Sequence, residues 1–272
     1  MLDQHHPSTY YAKLYSGAKR YIRKHPRLVR LVRVVRYIGR LGPWRSLIME
    51  YVQGYVPNPP LRTSENTLFP TLDTDHVVDK ITRLGYSLGT SLPEEYVDNI
   101  CDYCEDKEFA TFNNPHRDCK LVNNIAYDRT IVEIVRRYLE AEPILYGTEI
   151  YWSRPKAYSK ELQSLDVKRR DFHYDVGDFK SLTLFIYLTD VDFDCGPHVL
   201  IENTRVKTLK ELLNPLISYE VAIKKYGSRI KIITGRRGTS FFEDLTNYHQ
   251  RSIGQKPRVI LTISYTFHRK PK

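Results

Sequence analysis

The segment DFHYD places His173 and Asp175 two residues apart. In an extended strand both side chains leave the same face, so an imidazole and a carboxylate can converge on one cation. That spacing arises often by chance. A third candidate gives it weight: His249, in TNYHQRS, lies near the end of another predicted strand far along the chain. Two histidines and a carboxylate form the facial triad that suits Fe(II), with three coordination positions left open for a bidentate cosubstrate and O2.

Nine residues beyond His249 comes Arg258, in KPRVILTISY. A strand there puts Arg258, Ile260, Thr262 and Ser264 on one face, so a guanidinium and a hydroxyl point the same way. A buried guanidinium requires an anion and can hold a carboxylate bidentately. The far carboxylate of 2-oxoglutarate would serve, with Thr262 adding a hydrogen bond. An internal salt bridge or a surface position for Arg258 is the competing expectation.

A second metal pattern is present in Cys101, Cys104, His116 and Cys119, which offer zinc ligands in two pairs. Cys101 and Cys104 also fit the apolar face of a helix beside Ile100, where they would be buried thiols. Both readings are open from the residues alone.

The elements that must position these groups fall in two stretches. DTDHVVDKITRLG reads as a helix stopped by Gly85, YSLGT as a short strand, and SLPEEYVDNICDYCED as a helix with Ser91 and Glu94 in capping-box spacing. Asp128 caps RTIVEIVRRYLEA, and Pro143 ends it. From Ile144 the pattern turns to strands: ILYGTEIYW, DFHYDV, SLTLFIYLTDV, HVLIEN, RIKIIT, TSFFED and RVILTISYTF, with one helical interruption at VKTLKELLN. Helices followed by antiparallel strands predict an α+β chain closing into a jelly-roll barrel.

Charge divides the chain differently. Residues 1–50 hold 11 Lys+Arg against Asp3 and Glu50, a balance of +9 out of the +10 carried by all 272 residues. The remainder is near neutral and offers no basic groove, which argues against nucleic acid as a partner. Between Arg27 and Leu41, Leu28, Leu31, Val32, Val35, Ile38 and Leu41 share one side of a helical wheel. Arg30, Arg33, Arg36 and Arg40 occupy the other side. Such a helix either packs its apolar stripe on the domain or, through residues 10–45, docks on an anionic membrane surface or a carrier protein.

VPNPPLRTSENTLFP reads as a linker. It divides a basic helical extension, residues 1–60, from a domain over residues 61–272. No apolar run of membrane-spanning length and no secretory signal pattern occurs, and four cysteines are too few for a disulfide scaffold. The expected location is the cytoplasm, peripheral to a membrane if the arginine face docks there.

From about residue 75 to 267, the order of FHYDVGDFKSLTLFIYLTDVDFDCGPHVLI, GTSFFEDLTNYHQRS and KPRVILTISY resembles the phytanoyl-CoA dioxygenase family of Fe(II)- and 2-oxoglutarate-dependent oxygenases. The resemblance implies a double-stranded β-helix, a cupin-like barrel with flanking helices. It also implies that His173, Asp175 and His249 are the catalytic iron ligands and that Arg258 holds 2-oxoglutarate. The activity implied is hydroxylation of an aliphatic C–H bond of a small-molecule, acyl or lipid-like substrate, with O2 consumed. Related oxygenases that halogenate carry a small residue in place of the carboxylate, so Asp175 implies hydroxylation, desaturation or ring closure.

One departure stands out: where the family closes its turn with Pro-Gly-Ser/Thr-His, this chain reads Glu202, Asn203, Thr204, Arg205. Trp152, Lys156 and Lys180 are expected to line the substrate site. The competing class is a jelly-roll protein that binds a metabolite or metal without turnover, docked through its basic helix.

Overall fold

A computed structural model describes residues 60–105, 111–153, 171–176, 180–213, 215–252 and 254–266. The basic extension and Lys156 lie outside them. The first helix, α1 (Thr74–Leu84), begins where Asp73 accepts a hydrogen bond from the His76 amide and ends at Gly85 in the left-handed region, φ 82°. Strand β1 (Tyr86–Ser91) follows, then α2 (Glu94–Glu105). The expected capping box does not form: Ser91 closes β1, and α2 starts from Pro93, whose carbonyl accepts from Tyr96 and Val97. After β2 (Phe112–Asn113) and α3 (Lys120–Ala126), Asp128 caps α4 (Arg129–Leu139). That helix stops at Glu140, in the left-handed region at φ 56°, before Pro143 is reached.

The strand-rich half is β3 (Ile144–Ser153), β4 (Ser181–Tyr187), β5 (His198–Ile201), β6 (Ile230–Ile233), β7 (Thr239–Glu243), β8 (His249–Arg251) and β9 (Arg258–Thr266). Two short helices, α5 (Leu209–Leu213) and α6 (Tyr219–Tyr226), separate β5 from β6. All pairs are antiparallel, in a six-stranded sheet ordered β1-β7-β4-β9-β3-β2 and a three-stranded sheet ordered β6-β5-β8.

Alternation along the strands assigns three cores. From β9, Val259, Leu261, Ile263 and Tyr265 join Ile81, Ile100, Ile131 and Leu139 between the large sheet and helices α1 to α4. The opposite face of β9 turns inward: Ile260 packs with Phe185, Tyr187, Leu200, Ile233 and Phe241 between the two sheets. Behind the small sheet, Val199, Ile201, Tyr174 and Tyr248 pack with Leu212 and Ala222 of α5 and α6. The inner layer is where polar residues interrupt the hydrophobic pattern, and those interruptions make the site.

Candidate metal centre

DFHYDV is not a full strand. Phe172 bridges Ile217 and His173 bridges His249, after which the Asp175 amide donates to the Leu245 carbonyl in the β7–β8 turn at 2.8 Å. His249 opens β8 rather than ending a strand, because the chain leaves β7 at Glu243 and turns through Asp244–Asn247 before pairing again. The two segments that carry the expected ligands are therefore joined backbone to backbone. His173 N donates to His249 O at 2.9 Å, and His249 N donates to His173 O at 2.7 Å.

This pairing brings the three predicted ligands together. One ligand atom from each of His173, Asp175 and His249 lies within 4.8 Å of the others, and no other His/Cys/Asp/Glu group among the described residues has this geometry. The Cys101, Cys104, His116 and Cys119 pattern does not assemble into such a group. Cys101 and Cys104 lie on α2, and Cys104 and Cys119 contribute to the core beneath the helices. His249 Nε2 sits 3.6 Å from Asp175 Oδ2, while its Nδ1 is 3.1 Å from the Asn247 carbonyl. That backbone contact fixes Nδ1 as the protonated nitrogen and leaves Nε2 to face a metal.

The electrostatics favour the metal-binding form of two of the three residues. Burial and the neighbouring His249 push His173 below the usual histidine value. Burial opposes ionisation of Asp175, but its contact with His249 and the charge of His173 outweigh that and hold it below the usual carboxylate value. Near neutral pH the site therefore presents a carboxylate and a neutral His173. His249 is raised: burial works against its charged form, and the Asp175 and Glu243 carboxylates overcome it.

A cavity of about 290 Å³ opens over the triad, lined among others by Glu149, Tyr151, Thr183, His198 and Thr262. Thr262 thus reaches the site as the sequence suggests; its Oγ1 is 3.4 Å from the Glu149 carbonyl. Arg258 shares its strand face but does not line this cavity. It is fully buried beneath it, with Nη1 donating to the Gly196 carbonyl at 2.5 Å and its guanidinium 6.0 Å from the Tyr187 ring centre. Neither competing expectation for Arg258 holds, since it is not on the surface and no carboxylate of the described residues pairs with it. Its Nε and Nη2 have no hydrogen-bond partner among the described residues. Buried guanidinium donors without a partner are costly, and their forked geometry suits a carboxylate.

Two expected lining residues lie elsewhere. Trp152 alternates outward from Tyr151 and packs against the core under the helices. Lys180 reaches the same side, 3.5 Å from Glu140 Oε1 and above the Tyr138 ring. The altered turn has its own bonding: Asn203 takes the left-handed region at φ 53°, its amide donates to Leu84 O, and Arg229 donates to the Glu202 carbonyl.

The sequence reading missed a buried pair beside the triad, His198 Nε2 and Glu243 Oε2, 2.6 Å apart. The signal was present in TSFFE, where Phe241 and Glu243 share a face, so an acid stands at an otherwise apolar inner position.

No protein-family model matches the chain, and no curated protein sequence matches it. Solved structures do. The non-haem α-ketoglutarate-dependent epimerase SnoN from nogalamycin biosynthesis is 13% identical, with a TM-score of 0.54 over 73% of this chain and 86% of its own. EctD from S. alaskensis, in a form with bound Fe, is 15% identical, with a TM-score of 0.53 over 77% and 82%. The non-haem monooxygenase ThoJ is 12% identical, with a TM-score of 0.52 over 70% and 77%. The shared property is the fold. At these identities the site must be argued from this chain's own residues.

Proposed function

We propose that this protein is a non-haem Fe(II)- and 2-oxoglutarate-dependent oxygenase built on a double-stranded β-helix. The observation that carries the reading is the convergence of His173, Asp175 and His249 within 4.8 Å at the floor of a cavity. A two-histidine, one-carboxylate set matches iron(II) in ligand type and leaves coordination positions open. The unpaired Nε and Nη2 of Arg258 fit the distal carboxylate of 2-oxoglutarate, and Thr262 offers a hydroxyl on the same strand face. Among similar folds, SnoN is solved with Fe3+ and α-ketoglutarate, and EctD with 2-oxoglutarate and 5-hydroxyectoine.

Iron and 2-oxoglutarate, when bound, supply oxidation of a substrate C–H bond by O2, with 2-oxoglutarate converted to succinate and CO2. The chain supplies position and environment. His173 and His249 would hold the metal from a backbone-paired frame, with Asp175 as the third protein ligand. Arg258 and Thr262 orient the cosubstrate, while the Phe185 and Phe241 layer keeps water from the inner wall. The reaction we assign is hydroxylation of an aliphatic carbon in a small-molecule, acyl or lipid-like substrate. SnoN, among the similar structures, is an α-ketoglutarate-dependent epimerase, so inversion at a carbon centre is the alternative outcome.

The test is succinate formation by the purified protein with Fe(II), 2-oxoglutarate and O2, assayed with and without candidate substrates. Release that needs iron and is lost in His173→Ala supports the reading. Tight 2-oxoglutarate or metal binding without succinate under any condition would favour the non-catalytic binding protein.

A further inference from the structure

Glu243 occupies an inner position of β7 and has no exposed surface. Its Oε2 is 2.6 Å from His198 Nε2, and its Oε1 lies 4.0 Å from His249 Nδ1 with no hydrogen-bond partner among the described residues. His198 is equally constrained. Its ring packs against the stacked pair Phe185 and Phe241, at centroid distances of 5.1 and 5.3 Å, and stacks 5.8 Å from His249 at an interplanar angle of 18°. Its amide donates to the Tyr187 hydroxyl.

An acid in this layer is poor packing chemistry. A leucine or phenylalanine would fill the position without desolvating a charge, and replacing buried ionic groups by apolar ones is often neutral or stabilising. One oxygen of Glu243 remains unpaired, which adds to the cost of burial. What compensates must be positive and close. Among the described residues, the group within reach besides His198 is His249, whose ring would take up positive charge if a divalent ion bound its Nε2. The Asn247 carbonyl already orients this ring through Nδ1, and a carboxylate 4.0 Å behind it adds charge stabilisation that raises the ligand's basicity.

We infer that Glu243, steadied by His198, is an outer-sphere carboxylate that acts through His249 to strengthen divalent-metal binding at the triad. Glu243 is thus a positioning residue rather than a ligand, and the inference rests on the triad being a metal site. It predicts that the anion favours the loaded protein over the empty one, so removing its charge weakens the metal more than it weakens the fold.

The experiment is titration of the full-length protein with Co(II), followed by its visible absorption bands, alongside thermal unfolding without metal. Glu243→Gln keeps the shape and removes the charge. The expected result is a loss of about 10- to 100-fold in Co(II) affinity, a changed Co(II) spectrum and a metal-free melting temperature equal to or above wild type. Co(II) affinity within twofold of wild type with an unchanged spectrum would overturn the inference. If Glu243→Gln does not fold, the Glu243→Leu, His198→Leu double variant removes the charge and its partner together. It should show the same weakening, and wild-type affinity there would equally overturn the inference. The control is His249→Ala: if Co(II) binding survives that change, the triad itself has failed as a metal site. Wild-type affinity in Glu243→Gln while His249→Ala abolishes binding sinks only the role of Glu243.

Discussion

His173 and His249 exchange two backbone hydrogen bonds, 2.9 Å in one direction and 2.7 Å in the other, and their rings lie 4.5 Å apart, centroid to centroid. The pairing that brings these side chains together does not depend on the side chains. His173→Ala, Asp175→Ala and His249→Ala should therefore each abolish iron-dependent succinate formation and still fold without metal, with the buried His249 costing the most, about 1–3 kcal/mol. Paired assays of turnover and thermal unfolding check this. Full activity of Asp175→Ala without added carboxylate would remove Asp175 from the ligand set.

How much of this was legible in the sequence depends on which interaction fixes each residue. The inner and outer faces of β9 follow from alternation alone, so Thr262 and the burial of Arg258 could be read from residue parity. Parity would also have moved Trp152 outward, since Tyr151 is its inward neighbour. The contact between Lys180 and Glu140 joins β4's edge to the end of α4, a tertiary relation with no local signature. The α6 helix escaped because SYEVAIKKYG buries only Ala222, so its apolar pattern is weak. The 2.6 Å pairing of His198 with Glu243 needs the two sheets to face each other, and sequence spacing carries no information on that distance.

Arg258 is fully buried, and two of its nitrogens have no hydrogen-bond partner among the described residues. Arg258→Ala should raise the 2-oxoglutarate concentration needed for half-saturation by about 10- to 100-fold, the worth of a charge-assisted contact, with metal affinity little changed. Arg258→Lys should recover only part, because an ammonium cannot reproduce the forked geometry. Equal half-saturation in wild type and Arg258→Ala would show that another group holds the cosubstrate.

Behind the metal centre, Lys207 is 7% exposed, and its ammonium lies over the Tyr174 and Tyr248 rings while donating to the Thr204 and Thr246 carbonyls. Burial lowers it to about 7, against an ordinary value of 10.5. Between those two values the unfolded chain binds the proton and the folded chain does not. Stability should therefore climb with pH from about 7 toward 10, by up to ~1.4 kcal/mol per pH unit, and be level in this respect below 7. Melting curves of wild type and Lys207→Met across that range would show it: the variant should lack this slope. Parallel curves would mean that Lys207 stays charged in its cage.

Asp128 is fully buried and accepts from the amides of Leu68, Thr130 and Ile131 and from the Thr67 hydroxyl. One carboxylate thus caps α4 and ties residues 67 and 68 to it. Asp128→Ala leaves several donors unpaired and should cost about 2–4 kcal/mol, seen as a lower denaturation midpoint. The metal triad belongs to other elements, so metal affinity of the folded fraction should stay at the wild-type level. A matching loss of affinity would show that the helical layer and the site are coupled.

The last prediction concerns the basic extension, where +9 of the +10 charge resides and which lies outside the described residues. No helix among the described residues is long and apolar enough to cross a membrane. Each basic residue close to an anionic bilayer contributes about 1 kcal/mol, and salt weakens that attraction. If the arginine face docks there, full-length protein should sediment with vesicles containing anionic lipid at low salt and be released at high salt. Changing Arg30, Arg33, Arg36 and Arg40 to Gln should abolish sedimentation while leaving succinate formation with a soluble substrate intact. The opposite pattern has its own signature: if the apolar stripe packs on the domain, deleting residues 1–60 lowers the melting temperature and exposes hydrophobic surface, and vesicle binding stays at background. Docking would place the catalytic domain at a lipid surface and favour a lipid-like substrate, whereas packing would leave the cavity's own polar wall of Glu149, Thr183 and Thr262 to select it.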